Sequence, residues 1–595
     1  MPEDMSESDW KAEVVQGPLD ETLSWGSDVP AAMLRQLGIP YIALTPGASY
    51  RGFHDSLVNH LGNERPEMLL CLHEEHAVAI AHGYAKVTGV AMAVALHSNV
   101  GLMHGTMAIF NAFADRAPML ILGATGPMDA TERRPWIDWL HTTQDQGAMI
   151  RPFIKWDDQP GSAAATPEAM MRGWKIANSA PYGPVYINLD AGDQESPLES
   201  PLALPDPARF APLPEARPDG ALIAKAAQAL LNAKAPVILF GRGARTTAAM
   251  EARVALAERL GAAMLSDLKA GTMVPSDHPN HAGAPFNKLQ ATARAVLEKA
   301  DVILSLAAVD LGGVLKQAYG DESPTATIIH ASLDQQLHSG WNQEHFALAP
   351  VDIELNCSGD AAVADLLAAL PTGTAKRPDL PPTAVPDKAV GTALTNRDIA
   401  TALKSCVGDS PLTFAGLSRG FPVDIMPHRH PLDFIGKDGG GGVGSGPGLT
   451  IGAALALKGS GRIVVGSLGD GDTLMSTNAL WTAAKYRIPA LFLISNNRSY
   501  FNDELHQESV AKRRGRNPAN AWVGQQLDNP APDIAGIARS HGVEAIGPIE
   551  THEQLNTAMA EAVAAVRAGR PFLLDILIDP RQGREKEVKR NTKGG

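Results

Sequence analysis

Short apolar runs alternate with helix-length segments along almost the whole chain, and this alternation restricts the fold to parallel α/β sheets. AMAVAL (91–96) and PMLILGATG (118–126) flank one helical pattern. APVILFG (235–241), AAMLSDL (262–268) and ADVILSLA (300–307) surround others, and RIVVGSLG (462–469) and IPALFLISN (488–496) enclose NALWTAAKYR. Two proline-rich stretches, 197–220 and 371–388, break the pattern. Proline fixes φ and removes a donor, so these stretches read as linkers. They leave three blocks of domain size: 1–196, 220–370 and 389–595. The first and third also resemble each other. Each has an Ala/Gly-rich helix (AVAIAHGYAKVTG; LTIGAALALKGSG), then a buried strand, then an Asn-Ala pair (Asn111, Asn478) before a proline that opens the next strand (Pro118, Pro489).

The balance of 51 Lys+Arg against 65 Asp+Glu argues against general nucleic-acid binding, which needs clustered positive charge. No run of eighteen apolar residues is present, so no membrane-spanning helix is expected. The opening MPEDMSESDWK does not read as a signal peptide. Cys71, Cys357 and Cys406 are far apart and lack metal-ligand spacing. The expectation is a cytoplasmic enzyme.

The sharpest motif lies in the third block. Gly469-Asp470-Gly471 follows the strand RIVVGSL, and Asn496-Asn497 ends the next strand, with twenty-four residues between Gly471 and Asn496. Parallel sheets bind ligands at the carboxyl ends of their strands. The glycines admit a phosphate close to backbone N–H groups, and the helix start at Asp472-Thr473 favours an anion. Asp470 and Asn497 supply the hard oxygens that Mg²⁺ takes beside phosphates.

GDG, twenty-four residues and NN resemble the diphosphate motif of thiamine-diphosphate (ThDP) enzymes, in particular the acetolactate synthase and benzoylformate decarboxylase superfamily, and the resemblance spans nearly the whole chain. It implies an α/β fold of three open parallel-sheet domains: pyrimidine-binding (1–196), central (220–370) and diphosphate-binding (389–580), with a basic tail at 581–595. It implies ThDP and Mg²⁺ as cofactors, with Asp470, Asn497 and the Ser499 carbonyl as metal ligands. Gly469, Gly471, Asp472 and Thr473 would lie at the diphosphate. Val443, in GGGGVGSGPG, would wedge between the cofactor rings.

His73-Glu74-Glu75-His76 precedes the first Ala/Gly-rich helix. A zincin needs H-E-x-x-H, and here the second histidine comes one residue early. Acids solvated at a helix start are a second reading. In the family a cofactor-activating glutamate stands ten residues before the Tyr of a Gly-Tyr pair, which selects Glu74 over Glu75 by counting from Tyr84. Its proton, shared with the pyrimidine ring, would favour the tautomer that activates the thiazolium. The same frame makes His97 and His141 proton-transfer residues. His73, His76, His82 and His104 read as structural.

Three departures stand out. Where benzoylformate decarboxylase has Ser after Pro-Gly, this chain has Ala48 and then Ser49, so Ser49 or Tyr50 would take over that contact. The usual Gly after NN is Arg498. Asn502, Asp503 and His506 stand where an apolar substrate wall is usual, which implies a polar substrate. Non-oxidative 2-oxo acid decarboxylation, with or without carboligation, is the expected reaction. Acetolactate synthase-like acyl transfer and 2-hydroxyacyl-CoA cleavage, for which the basic tail would clamp an acyl-CoA phosphate, are the alternatives. Gly241-Arg242-Gly243 is a partial dinucleotide fingerprint and leaves FAD open. Gly416-Leu417-Ser418-Arg419-Gly420 matches G-x-S-x-G, so a serine hydrolase with His506, His541 or His552 is a further alternative, as is a non-catalytic nucleotide-binding protein. In the family the glutamate and the metal site meet across a subunit interface, so a homodimer at minimum, and a homotetramer, is expected.

Overall fold

The computed structural model describes residues 13–20, 22–267, 269–283, 289–336, 348–381, 393–437 and 439–579. The basic tail expected at 581–595 lies outside them. Three parallel sheets account for every named strand. The first contains β1 (Tyr41–Leu44), β2 (Glu67–Leu70), β3 (Met92–Leu96), β4 (Met119–Thr125), β5 (Trp156–Asp158) and β6 (Pro184–Asp190) in the order β2-β1-β3-β4-β6-β5. The second contains β7 (Pro236–Phe240), β8 (Ala263–Ser266), β9 (Val302–Leu306), β10 (Thr327–Ala331) and β11 (Ile353–Leu355), ordered β11-β10-β9-β7-β8. That is the flavodoxin-like doubly wound order. The third contains β12 (Leu412–Gly416), β13 (Ile463–Gly469), β14 (Ala490–Asn496), β15 (Glu544–Ile549) and β16 (Phe572–Leu577), ordered β12-β13-β14-β16-β15. The central strands are buried on both faces, as their unbroken apolar runs require.

Without its edge strand β2, the first sheet reads β1-β3-β4-β6-β5, which is the order of the third. The two look-alike helices of the sequence, Glu74–Thr88 and Gly446–Ala456, therefore occupy equivalent places, and they pack directly on each other. Glycines set the distance of approach. A Cβ on Gly83 would stand 2.2 Å from the Leu449 carbonyl oxygen, and one on Gly452 would stand 1.9 Å from that of Ile80. One apolar core runs through this crossing, from Val78 and Ile80 to Ile451 and Val464. The first and third domains thus share a core, while the central domain keeps its own.

The helix Glu74–Thr88 starts on His73, whose Nδ1 accepts the Glu75 N–H at 3.2 Å, and it ends at Gly89 with φ +71°. Its two acids lie in the first turn, where the helix dipole favours them. The three cysteines are free. No helix among the described residues is long and apolar enough to cross a membrane.

Candidate active site

Two clusters of functional side chains form at equivalent ends of the two related sheets. In the third domain β13 and β14 are neighbours, with Gly469 paired to Ser495, so Asp470 and Asn497 emerge side by side. The Asp470 carboxylate accepts the Gly471 N–H at 2.9 Å and the Ser499 N–H at 3.2 Å. Asn497 Oδ1 accepts the same Ser499 N–H at 2.9 Å, so both side chains converge on one backbone turn. Asp470 is 4% exposed and, among the described residues, pairs with no basic side chain. Burial pushes its carboxyl above the usual range despite the N–H groups that favour the anion. A buried carboxylate beside an amide oxygen, with no counter-charge, suits a small hard cation. These residues therefore fit Mg²⁺.

The two asparagines differ in task. Asn496 is buried and spends its amide on Asp575, at 2.8 Å, while its oxygen accepts the Arg498 N–H at 3.0 Å. Arg498 holds φ +56°, which explains why glycine is the easier residue there. Gly471 is needed for a different reason: a Cβ would stand 2.5 Å from the Tyr500 ring. The Asp472 carboxylate accepts the N–H groups of Gly444 (2.6 Å) and Gly446 (3.4 Å) and so fastens the turn that presents Val443, which is 52% exposed. The Thr473 hydroxyl donates to the Gly469 carbonyl at 2.9 Å.

In the first domain Glu74 is 7% exposed and lies against the helix Ser98–Ala114. Its Oε2 is 3.0 Å from His104 Nδ1, and a Cβ on Gly101 would stand 3.0 Å from its Oε1. Glu75 turns the other way, towards Gly444 of the third domain. His97 ends β3. Its Nδ1 is 2.9 Å from Ser49 Oγ, which also accepts the Ser98 N–H at 3.1 Å. Ser49 is buried and Ala48 is exposed, so the serine one position late is the one that reaches the histidine. A Cβ on Gly47 would stand 2.2 Å from the His97 ring, so this approach requires glycine. His141 meets His97 edge to face at 4.8 Å, and its buried Nδ1 has no hydrogen-bond partner among the described residues. Burial, and then His141, push the His97 pKa down.

Asn502, Asp503 and His506 lie on the helix Phe501–Arg513, which follows Ser499 and Tyr500 in the chain. Asp503 and His506 are exposed and 3.7 Å apart, and Asn502 is half-buried. The inward residue of that helix is Glu504, which accepts the Ser499 hydroxyl. Ser418 is bonded to Ser467 at 2.9 Å, and its other partners are Ser495 and Asn396. His541 and His552 bond instead to Ile537 and Asp398, so the G-x-S-x-G match assembles no triad. A Cβ on Gly241 would stand 1.8 Å from the Ala307 carbonyl oxygen, and one on Gly243 would stand 2.3 Å from Arg253, so these glycines serve close packing. His104, a structural residue by its sequence context alone, touches Glu74. The available signal was its i, i+3 spacing from Gly101 on a helix that begins beside His97.

Three thiamine pyrophosphate enzyme models match the chain: the N-terminal TPP binding domain at residues 24–149, the central domain at 223–348 and the C-terminal TPP binding domain at 415–576. Benzoylformate decarboxylase of Pseudomonas aeruginosa is 26% identical over 558 residues, covering 91% of this chain and 97% of its own. The acetolactate synthase large subunit of Haemophilus influenzae is 24% identical over 552 residues, covering 90% and 92%. The crystal structure of benzoylformate decarboxylase from Polynucleobacter necessarius superposes with a TM-score of 0.77 at 21% identity, covering 93% of this chain and 99% of that one. With matches over all three domains, the chain belongs to the thiamine pyrophosphate enzyme family.

Proposed function

We propose that the protein is a ThDP- and Mg²⁺-dependent enzyme that cleaves or forms a C–C bond beside a carbonyl, acting as a non-oxidative 2-oxo acid decarboxylase or carboligase on a polar substrate. The observation that carries this reading is the convergence of Asp470 and Asn497 on the turn at Ser499, with no basic side chain among the described residues paired to the buried carboxylate. Asp470, Asn497 and the Ser499 carbonyl would hold the metal, and the Gly469–Thr473 turn would hold the diphosphate. Bound ThDP supplies a nucleophilic thiazolium carbon and an electron sink.

The chain's own residues divide the remaining work. Glu74 would hydrogen-bond the pyrimidine ring nitrogen through its carboxyl group. At His97, both the Ser49 N–H (3.5 Å) and the Ser49 hydroxyl approach Nδ1. Nδ1 then accepts, the ring proton sits on Nε2, and Nε2 is the nitrogen that exchanges a proton with substrate. Burial and the neighbouring His141 keep that imidazole neutral at neutral pH. With the Ser49 donors spent on Nδ1, the His97 Nε2–H and the neighbouring His141 ring would be the groups that meet a polar carbonyl or carboxylate in this half-buried setting, which supports a polar 2-oxo acid.

Among the described residues no hydrogen bond or ion pair joins Glu74 to the Asp470 cluster of the same chain. The proposal therefore includes a second copy that brings the two halves together, as a homodimer or a tetramer built from dimers. The test strips the metal with EDTA, restores ThDP and Mg²⁺, and assays a panel of polar and aromatic 2-oxo acids. Activity should vanish and return with the metal. Glu74→Gln should keep cofactor affinity while lowering kcat by about 10²-fold or more. Activity indifferent to chelation and to Glu74→Gln defeats the proposal.

A further inference from the structure

The carboxyl of Glu74 lies in a slot built by one helix. Gly101 and His104 stand three residues apart on Ser98–Ala114, hence on one face of it. Gly101 forms the floor: a Cβ there would stand 3.0 and 3.3 Å from Glu74 Oε1 and Cγ, so the carboxyl would have to shift by a few tenths of an ångström. His104 forms the wall, with Nδ1 3.0 Å from Oε2. His73 backs that wall: its ring stacks on His104 at 4.8 Å with 19° between the planes. The tautomer of His73 is fixed, because Nδ1 accepts the Glu75 N–H. Burial, and then His104, push the His73 pKa down, so it serves as a neutral plate.

From this geometry we infer that His104 is a positioning residue for the activating carboxyl: its Nδ1–H clamps Oε2, and Oε1 is left as the oxygen that carries the proton offered to the cofactor. The inference rests on the role of Glu74 proposed above. The balance is simple. The His104 proton stays on Nδ1 throughout, and only the proton on Oε1 moves. His104 is exposed on its outer side and carries no core packing, so its replacement leaves the fold intact.

The test reads two quantities on the holoenzyme: ThDP affinity, by calorimetric titration, and the rate of C2 hydrogen–deuterium exchange of bound ThDP, by quenched-flow NMR. His104→Ala should slow exchange about tenfold, the size expected from losing one hydrogen bond to an ionisable carboxyl, with affinity held within about threefold. His104→Asn returns an N–H donor near the Nδ1 position and should restore most of the rate. Gly101→Ala fills the slot floor and should slow exchange without touching His104. Wild-type exchange in His104→Ala, together with collapse in Glu74→Gln, overturns the inference and leaves the functional proposal standing. Parallel loss of affinity and exchange in His104→Ala, or no rescue by asparagine, also overturns it. Normal exchange in Glu74→Gln overturns both.

Discussion

A single methyl group at Gly452 tests whether the crossing of the first and third domains is as close as the structure shows. The Cβ would stand 1.9 Å from the Ile80 carbonyl oxygen, 2.8 Å from the Ile80 carbonyl carbon and 2.8 Å from the Tyr84 nitrogen. All three are backbone atoms of one helix, so no rotamer change relieves the clash. Restoring ordinary contact means moving the helices apart by roughly 1.5 Å, and a gap of that order forfeits much of the dispersion energy across the crossing. Overpacking costs about 1–3 kcal/mol, and the backbone obstruction puts Gly452→Ala at the upper end. The helix-propensity gain of about 1 kcal/mol for Gly→Ala opposes it, leaving a net loss of roughly 2 kcal/mol. For cooperative unfolding of a chain this long, that is a fall in Tm of only about 2 °C. Activity should suffer more, because Glu74 sits in the first turn of the displaced helix, and an ångström of misplacement costs about 10²-fold. The assay pairs calorimetry with kcat at saturating ThDP. Gly220→Ala, where a Cβ meets nothing within 4 Å, is the control and should be neutral or slightly stabilising. If Gly452→Ala matches that control in both Tm and kcat, the close crossing is wrong.

Two further outcomes follow from the asparagine turn. Arg498 carries φ +56°, so Arg498→Gly should stabilise the protein by about 1 kcal/mol, read by chemical denaturation; no gain would mean that the left-handed conformation is not held in solution. Asp575 is 2% exposed, and burial pushes its carboxyl from 3.8 up to about 6, with Asn496 opposing and Asp470 adding to the rise. The folded chain then binds a proton that the unfolded chain lacks between those two values, so stability falls as pH rises through that window and stays lower above it. The full effect is roughly 3 kcal/mol, with about half of it between pH 5 and 7.5. In metal-free protein Asp575→Asn should remove that part of the pH dependence, and an unchanged slope would contradict the assignment.

Strands were legible because both faces of each central strand are buried, which leaves unbroken apolar runs such as AMAVAL and ALFLIS. The grouping of Asp470 with Asn497 was legible because the two lie at the ends of adjacent strands, so spacing in sequence translates into proximity in space. Contacts set by packing were hidden. The two Ala/Gly-rich helices were recognisable as copies, but nothing in either one says that it rests on the other, since reciprocal glycine contacts leave only small residues behind. Ser49 stands open against Tyr50 in the sequence, because a turn can shift a side chain by one position without changing composition; in the structure Ser49 bonds to His97 Nδ1 (3.5 and 2.9 Å) and the Tyr50 ring meets the His97 ring edge to face. His104 was missed because its partner lies thirty residues earlier on a different helix, and only the packing of the two helices brings them together.

The shared strand order explains why the two clusters differ in chemistry while matching in place. His97 follows β3 and Asp470 follows β13, and these strands hold the same position in the two sheets. One copy gathers imidazoles and a carboxyl around glycines that make room for side chains: Gly47 under His97, and Gly101 under Glu74. The other keeps its glycines for backbone approach, with Gly444 and Gly446 held by Asp472 and Gly471 pressed under Tyr500. The first set can move protons, and the second can hold an anion and a cation. Within one chain it is Glu75 that faces Gly444, while the Glu74 carboxyl bonds to His104. The tight Gly83–Leu449 and Gly452–Ile80 crossing fixes how the two halves sit within one chain, and under the proposed pairing of two copies it would set the spacing of both composite sites.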